Sequence, residues 1–511
     1  MRKWWPLVTV CLGTFMLLID VTIVNVALPQ MAVDLHTSFT ALQWVVDGYA
    51  LSLAVLLLGA GALGDRSGHR RLYLAGLGVF ALASLVCGVA NGDAMLITAR
   101  VVQGIGAAAM FTTTFALLNG AYQGRERGVA YGVWGGVSGA AAAVGPVLGG
   151  VLTEWLNWRW IFLVNLPISI AAIVLTLTVL RADHGQRKGR FDVVGTLTFT
   201  VAAAALTLAV IRANEQGWTA FATWGLLVLS ALAMVAFVLV ERRIEHPMLD
   251  LRLLRNRSLG GILIAALLVN VAAFAAFTYT SIWLQSLAGL SPLQAGLTGL
   301  PMSLVSVVIS GIAGSRLHGK SPRLIIGTGM LLIGFGSALC ALVLGPGSSW
   351  PALIAGYAVI GIGVGLVMPT LAESAMAAVP RERGGMAAGA ITTARQLGFA
   401  IGIAVLGTVF AARAEDHLTG SAPDPSGTAH GLAAGQAGRI IAAVPETARS
   451  AVDTALRGAA VAGLDAAFLV AAGAGILGGI AVLVLVRHNR PAPAAAPPAS
   501  DDRAAQQAAV H

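Results

Sequence analysis

Asp20 is the most consequential residue of this chain. It lies within Leu18-Ile19-Asp20-Val21-Thr22-Ile23-Val24-Asn25, the second half of an apolar run that would otherwise sit in lipid. A carboxylate at such a depth is costly, so it faces a protein interior or a water-filled cavity and does ion or substrate chemistry there. The plainer alternative is an acid that hydrogen-bonds to Thr22 or Asn25 and helps two helices pack. Arg100 is the natural counterpart. It stands about five residues, roughly 8 Å, inside the outer end of its own run, and Asp20 about eight residues, roughly 12 Å, inside the outer end of its run. Those depths permit a pair or a shared pocket, whose balance of attraction and desolvation an arriving substrate or proton would tip. Arg100 as a side chain snorkelling to the surface is the other reading. Asp47 is shallow enough to be solvated from outside. Glu373 lies four or five residues from the inner end of its run and is either a substrate or proton group or a helix-end acid that reaches water. Arg395 lies deeper and needs a partner that the sequence does not name.

A second cluster sits in a short turn, Gly61-Ala62-Leu63-Gly64-Asp65-Arg66-Ser67-Gly68-His69-Arg70-Arg71. Asp65 is suited to the N-terminus of a helix, where it accepts backbone N–H bonds against the positive end of the dipole. Arg66, Arg70 and Arg71 can pair with acids across an inner interface, or serve only as markers of membrane sidedness. Gly61 and Gly68 permit a tight turn and close helix contact. A third cluster is the glycine series Gly132, Gly135, Gly136, Gly139 and then Gly145-Pro146-Val147-Leu148-Gly149-Gly150. Proline removes one helix hydrogen bond, and Gly145 and Gly149, one turn apart, let a neighbouring helix come close.

The elements that position these residues follow from composition. Of 511 residues, 57% are hydrophobic and only 11% charged, against about 25% charged in a soluble domain, so the chain is an integral membrane protein. Apolar runs of membrane-spanning length fall at 6–28, 42–62, 72–91, 95–118, 128–152, 159–180, 191–211, 221–240, 258–286, 293–315, 323–344, 351–377, 387–412 and 464–486. With the N-terminus inside, 24 of the 32 Lys and Arg fall in inner segments and 6 in outer ones, four of these in one long loop. Positive residues mark the cytoplasmic side, so the count supports fourteen spans with both termini cytoplasmic; twelve spans, lacking the 191–240 pair, keep the same sidedness. The net charge of +9 follows this sidedness and implies no nucleic-acid partner. Cys11, Cys87 and Cys340 lack the spacing of a disulfide framework or metal site. Residues 413–463 form a long extracytoplasmic loop with an amphipathic helix near 435–457, and 487–511 a disordered cytoplasmic tail. Trp158 and Trp160 suit interfacial anchoring, and Phe274, Phe277, Tyr279, Trp283 and Met302 suit core or lipid rather than a pocket.

The Gly61–Arg71 turn resembles the loop between helices 2 and 3 of the major facilitator superfamily, with His69 where a basic residue is usual. The Thr98–Ala108 segment resembles that superfamily's fourth-helix motif, whose arginine is implicated in proton coupling. Gly145-Pro146-Val147-Leu148-Gly149-Gly150 resembles its antiporter motif. The Asp20 segment and Trp158-Arg159-Trp160-Ile161-Phe162-Leu163-Val164-Asn165-Leu166-Pro167 resemble its fourteen-helix drug:proton antiporter branch. Gly311 to Arg323 reads as a worn copy of the Gly61–Arg71 turn, as two six-helix repeats would predict.

The resemblance implies an all-α fold of two six-helix bundles, 1–180 and 258–486, with two extra helices in 181–257 between them. It implies a bacterial cytoplasmic-membrane antiporter, monomeric, that exports amphipathic drugs, antiseptics or an antibiotic in exchange for protons. Asp20 and Arg100 would couple protons, with Asp47 and Glu373 as further candidates. Gly61, Asp65, Arg66, Gly68, Arg70 and Arg71 would gate the inner face, and Gly139, Gly145, Pro146, Gly149 and Gly150 would shape the antiporter helix. No cofactor or metal is expected, since the proton gradient drives the cycle and no phosphate-binding loop is present. A symporter of the same fold and a non-transporting sensor are the alternatives. An intramembrane enzyme is disfavoured, because no catalytic motif occurs and the buried polar residues are scattered.

Overall fold

The computed structural model describes residues 2–37, 39–181, 192–216, 220–245, 247–254, 256–317, 320–345, 347–380 and 383–486. The expected tail at 487–511 and most of the 182–191 linker lie outside them, as do the surroundings of Gly139 and the Pro146 side chain. Every regular element among the described residues is helical. Apolar runs this long can satisfy their backbone groups in lipid only by coiling on themselves.

Fourteen helices follow the fourteen apolar runs. In the first half they are α1 (Trp5–Asp34), α2 (Phe39–Ser67), α3 (His69–Gly88), α4 (Asp93–Ala121), α5 (Gly124–Trp155) and α6, which is broken at Val164 into Trp160–Leu163 and Asn165–Val179. An inserted pair comes next, α7 (Val193–Gln216) and α8 (Phe221–Arg243). The second half holds α9 (Arg257–Asn270, a π-helical turn Val271–Ala275, then Ala276–Ser286) and α10 (Pro292–Leu297 and Leu300–Arg316). It is completed by α11 (Pro322–Val343), α12 (Ile354–Ala377), α13 (Gly384–Leu418) and α14 (Glu446–Leu485). Thirteen of these are long and apolar enough to cross a membrane. The other, α5, has 32 residues, about 48 Å of helix at 1.5 Å per residue.

Small residues set the packing. The α3–α4 contact is made at Gly76 and Gly106, the α2–α4 contact at Gly104 against the Tyr49 carbonyl, and the α11–α12 contact at Gly329 and Gly363. Helices in lipid gain nothing from hiding apolar surface from water, so close backbone approach supplies the dispersion that holds them. One core lies within α9–α14 and another within α1–α6, a third joins the first half to Ala372 and Met376 of α12 and Ala387 and Ala388 of α13, and α7–α8 share a smaller one with Val55, Leu58 and Ala62 of α2. Outward, Leu232, Leu342 and Val484 are bare apolar side chains, as a lipid-facing surface requires.

Two expectations change. Residues 413–463 are mostly not loop: α13 runs to Leu418, α14 begins at Glu446, and short helices Pro425–Ala433 and Ala437–Ala442 lie between. The buried Ala429, Leu432 and Ala437 pack into the core of the second half, which gives this alanine-rich stretch a reason to coil. Trp158 is not an interfacial anchor. It is fully buried and donates its indole N–H to Asp34 Oδ2 at 2.9 Å, while Trp160 stays exposed.

Candidate functional site: a buried ion pair and an acid-capped gate

Asp20 sits on α1 with no exposed surface. Its Oδ2 accepts from Arg100 Nη1 at 2.5 Å, and its Oδ1 accepts from Gln103 Nε2 at 3.0 Å and Asn165 Nδ2 at 2.9 Å. Arg100 also donates Nη1 to Gln103 Oε1 at 2.7 Å and Nε to the Val45 carbonyl at 3.0 Å. Its guanidinium lies 4.2 Å from the centre of the Tyr49 ring, a cation–π contact. Ser84 Oγ accepts from Gln103 at 2.8 Å and Asn165 at 3.4 Å, which brings in α3. One helical turn sets the core of the arrangement: Arg100 and Gln103 are three residues apart on α4, so both face α1.

The predicted meeting of Asp20 and Arg100 is therefore present, in place of either packing through Thr22 or snorkelling. Thr22 instead donates to the Leu18 and Ile19 carbonyls of its own helix. Asp47, half-buried on α2, is not among the hydrogen-bond partners of Asp20. Glu373, half-buried on α12, lies within electrostatic reach of Tyr131 on α5 and apart from the pair. Sequence reasoning passed over Ser84, Gln103 and Asn165. A neutral amide inside a span is too cheap to stand out as a charge does, and the available signal was the i, i+3 spacing of Gln103 from Arg100. Asp465 on α14 was also missed, and its Oδ1 is buried without a partner.

The second cluster joins the two halves. Asp65, buried at the end of α2, accepts from the backbone N–H of Gly385 at 2.6 Å and of Met386 at 2.8 Å. Those are the first amides of α13, left without partners by the helix itself. Asp65 thus caps a helix of the other half, and His69 Nε2 lies 3.2 Å from the same carboxylate. Gly61 packs directly on the backbone of Gly385. Gly68 turns the chain from α2 to α3 at φ 93°, where a side chain would be strained.

The arginines behave otherwise than expected. Arg70 donates to the Thr176 and Leu177 carbonyls of its own half, and Arg66 and Arg71 are exposed. Arg383, just before α13, pairs with Asp250 in the segment after α8 and so ties the second half to the inserted segment. Burial alone would raise the Asp250 carboxyl, but the hydrogen bond from Arg383 and the Arg252 N–H hold it below the usual carboxylate range.

The antiporter-motif glycines do not lie between the halves. Gly145 packs on Thr22 and Gly149 on Ile23, both of α1 in the same half, and Gly150 meets nothing nearby. Contact from α5 to the other half is made by Gly128 on Gly314 and Gly132 on Ser310 of α10.

The all-helical bundle, with an ion pair buried inside one half and a helix cap joining the halves, has the makings of a membrane transporter. The family model for the Major Facilitator Superfamily matches residues 10–403, and the chain belongs to that family. The multidrug resistance protein Stp of Mycobacterium tuberculosis is 38% identical over 427 residues, 82% of this chain and 79% of that protein. The puromycin resistance protein pur8 of Streptomyces alboniger is 36% identical over 438 residues, 84% of this chain and 87% of that protein. The tetracenomycin C resistance and export protein of Streptomyces glaucescens is 32% identical over 422 residues, 81% and 77%. Among solved structures, the human organic anion transporter MFSD10 superposes with a TM-score of 0.62 at 16% identity, over 94% of this chain and 99% of that one. That likeness concerns the fold.

Proposed function

We propose that this chain exports amphipathic compounds across the cytoplasmic membrane of a bacterium in exchange for protons, acting as a monomer with both termini cytoplasmic. The observation that carries the proton coupling is the saturated Asp20–Arg100 pair. A proton on Asp20 removes the negative charge that holds the buried Arg100 guanidinium and weakens the hydrogen bonds from Gln103 and Asn165. Because these donors stand on α4 and α6, protonation would loosen α1 from both helices together. The names of the relatives, which speak of multidrug resistance and antibiotic export, support the outward direction.

In this reading the Asp65 cap closes the cytoplasmic side while the pair is intact. Protonation of Asp20, or substrate arrival beside it, frees Arg100 and lets the halves rock about the α2–α13 and α5–α10 contacts, exposing the centre to alternate sides. The gradient supplies the energy, and the chain's own residues carry no chemical step.

The test is proton flux in liposomes holding the purified protein under a pH gradient, as amphipathic cations and neutral antibiotics are added. A compound that moves against the proton establishes exchange; movement in the same direction as the proton makes the chain an uptake symporter. Asp20→Asn is expected to abolish coupled flux. It also strands Arg100 as a buried charge, at about 3–5 kcal/mol, so Asp20→Asn with Arg100→Gln should fold better and remain uncoupled. Full coupling by either variant would remove Asp20 from the proton path.

A further inference from the structure

Two arginines lie inside membrane spans, and only one is neutralised. Arg100 is paired with Asp20 and hydrogen-bonded to Val45 and Gln103. Arg395, about three turns into α13 from Gly384, has no hydrogen bond or ion pair among the described residues, and its Nε is buried without an acceptor. A charge left so in a membrane interior is a functional site by default.

Its surroundings exclude the simple escapes. Among the described residues no carboxylate pairs with it, and its Nε is buried without an acceptor. Glu373 sits a turn from the end of α12 near Tyr131, and Asp465 lies about 30 Å along α14 from the basic end of the bundle, whereas Arg395 lies about 16 Å from that end. Arg395 is half-buried, as are its neighbours Ala394, Gln396 and Leu397. Along α13 it stands between Gly389, which packs on Leu58 of α2, and Gly398, which packs on Leu267 of α9. It is thus on the helix that contacts both halves, deeper than the amides that Asp65 caps.

We propose that Arg395 is the anchor for an acidic oxygen group (a carboxylate, phenolate or enolate) on the transported compound. This rests on the export reading above and narrows it to substrates carrying such a group. A guanidinium offers five N–H donors in a flat fork and stays charged in any surroundings. Two acceptor oxygens of a planar anion satisfy one edge of that fork, and a pairing made inside a membrane span is stronger than it would be in water. The Asp20–Arg100 pair contributes no net charge to compete, so the uncompensated charge of Arg395 dominates this part of the interior.

The experiment is equilibrium binding to the full chain in zwitterionic-lipid nanodiscs at low ionic strength, read by fluorescence polarisation. The probes share one ring system: 9-anthracenecarboxylate, its methyl ester and 9-(aminomethyl)anthracene. Wild type is expected to bind the carboxylate at least tenfold more tightly than the ester, and the amine most weakly. Arg395→Gln should erase that preference while keeping the ester's affinity, which also reports that the variant is folded. Arg395→Lys, which keeps the charge and loses the fork, should retain part of the preference. Equal binding of the three probes, preference for the amine, no binding at all, or a preference that survives in Arg395→Gln would each overturn the assignment. Because no gradient is applied, failure of proton exchange in liposomes would leave Arg395-dependent binding visible and would count against the export reading alone.

Discussion

The two halves meet along two seams of the same construction and different electrostatics. In one, the end of α2 meets the start of α13, with Gly61 on the backbone of Gly385. In the other, the end of α10 meets the start of α5, with Gly314 on the backbone of Gly128. The sequence echo of Gly61–Arg71 in Gly311 to Arg323 brings the same turn to each seam but in a different register: a β-carbon on Gly311, opposite Gly61 in the repeat, would meet nothing nearby, and the contact is made by Gly314, the counterpart of Gly64. At the position where the first seam has Asp65, the second has Ser315. Among the described residues, the first seam is the one that places a carboxylate on the amides of a helix across the interface. Steric fit is thus shared, while the first seam adds charge–dipole attraction, and the segment after α8 adds a second tie through Asp250 and Arg383.

The largest effect should come from what the seams share. A β-carbon at Gly61 would collide with the Gly385 carbonyl, and one at Gly314 with the Gly128 carbonyl. Overpacking of backbone against backbone costs about 3 kcal/mol or more, roughly a hundredfold in the closed population. Gly61→Val and Gly314→Val are therefore expected to suppress transport alike, by more than tenfold, in a liposome flux assay. If one is tolerated and the other not, the seams do not close together and the comparison fails.

The next effect separates the seams. Asp65→Asn keeps one acceptor but loses the charge that faces the α13 dipole, a loss of about 1–2 kcal/mol. Hydrogen exchange at Gly385 and Met386 should quicken by about five- to thirtyfold, with the first turn of α5 unchanged. Equal acceleration at both helix starts would mean that the seams open as one unit and that Asp65 governs both.

Much of this was readable beforehand, and the reasons differ from residue to residue. The depths of Asp20 and Arg100 gave their meeting because a charge in a span has few places to go. That Asp65 caps a helix followed from an acid in a tight turn, but the identity of the helix did not, since Gly385 is 320 residues away. The arginines of the same turn misled: a positive residue at the inner face serves sidedness as well as pairing, and the sequence pattern is the same for both. Gly145 and Gly149 were legible as a contact surface and not as a contact with α1, because glycine spacing tells that a helix approaches and never which one. Ser84, Gln103 and Asn165 carry no charge, and their part in the network came from three-dimensional proximity alone.

The smallest effect concerns the tie through Asp250. Both partners are partly exposed, so removing it with Arg383→Gln should cost at most about 1 kcal/mol, and exchange at Gly385 should rise by no more than about fivefold. The pH dependence has a definite sign. Burial raises the folded Asp250 carboxyl, but the Arg383 hydrogen bond, the Arg252 N–H and the charges of both arginines together hold it below its usual value. The tie is then fully present above the ordinary aspartate value of about 3.9 and is lost only as pH falls through the lower folded value. The difference between wild type and Arg383→Gln should stay constant from about pH 8 to about pH 5, a window that lies above both carboxyl values. A difference that shrinks within that window would mean that another group titrates at the seam. His69, which shares the Asp65 carboxylate, would then be the residue to replace, and His69→Gln should restore the constant difference.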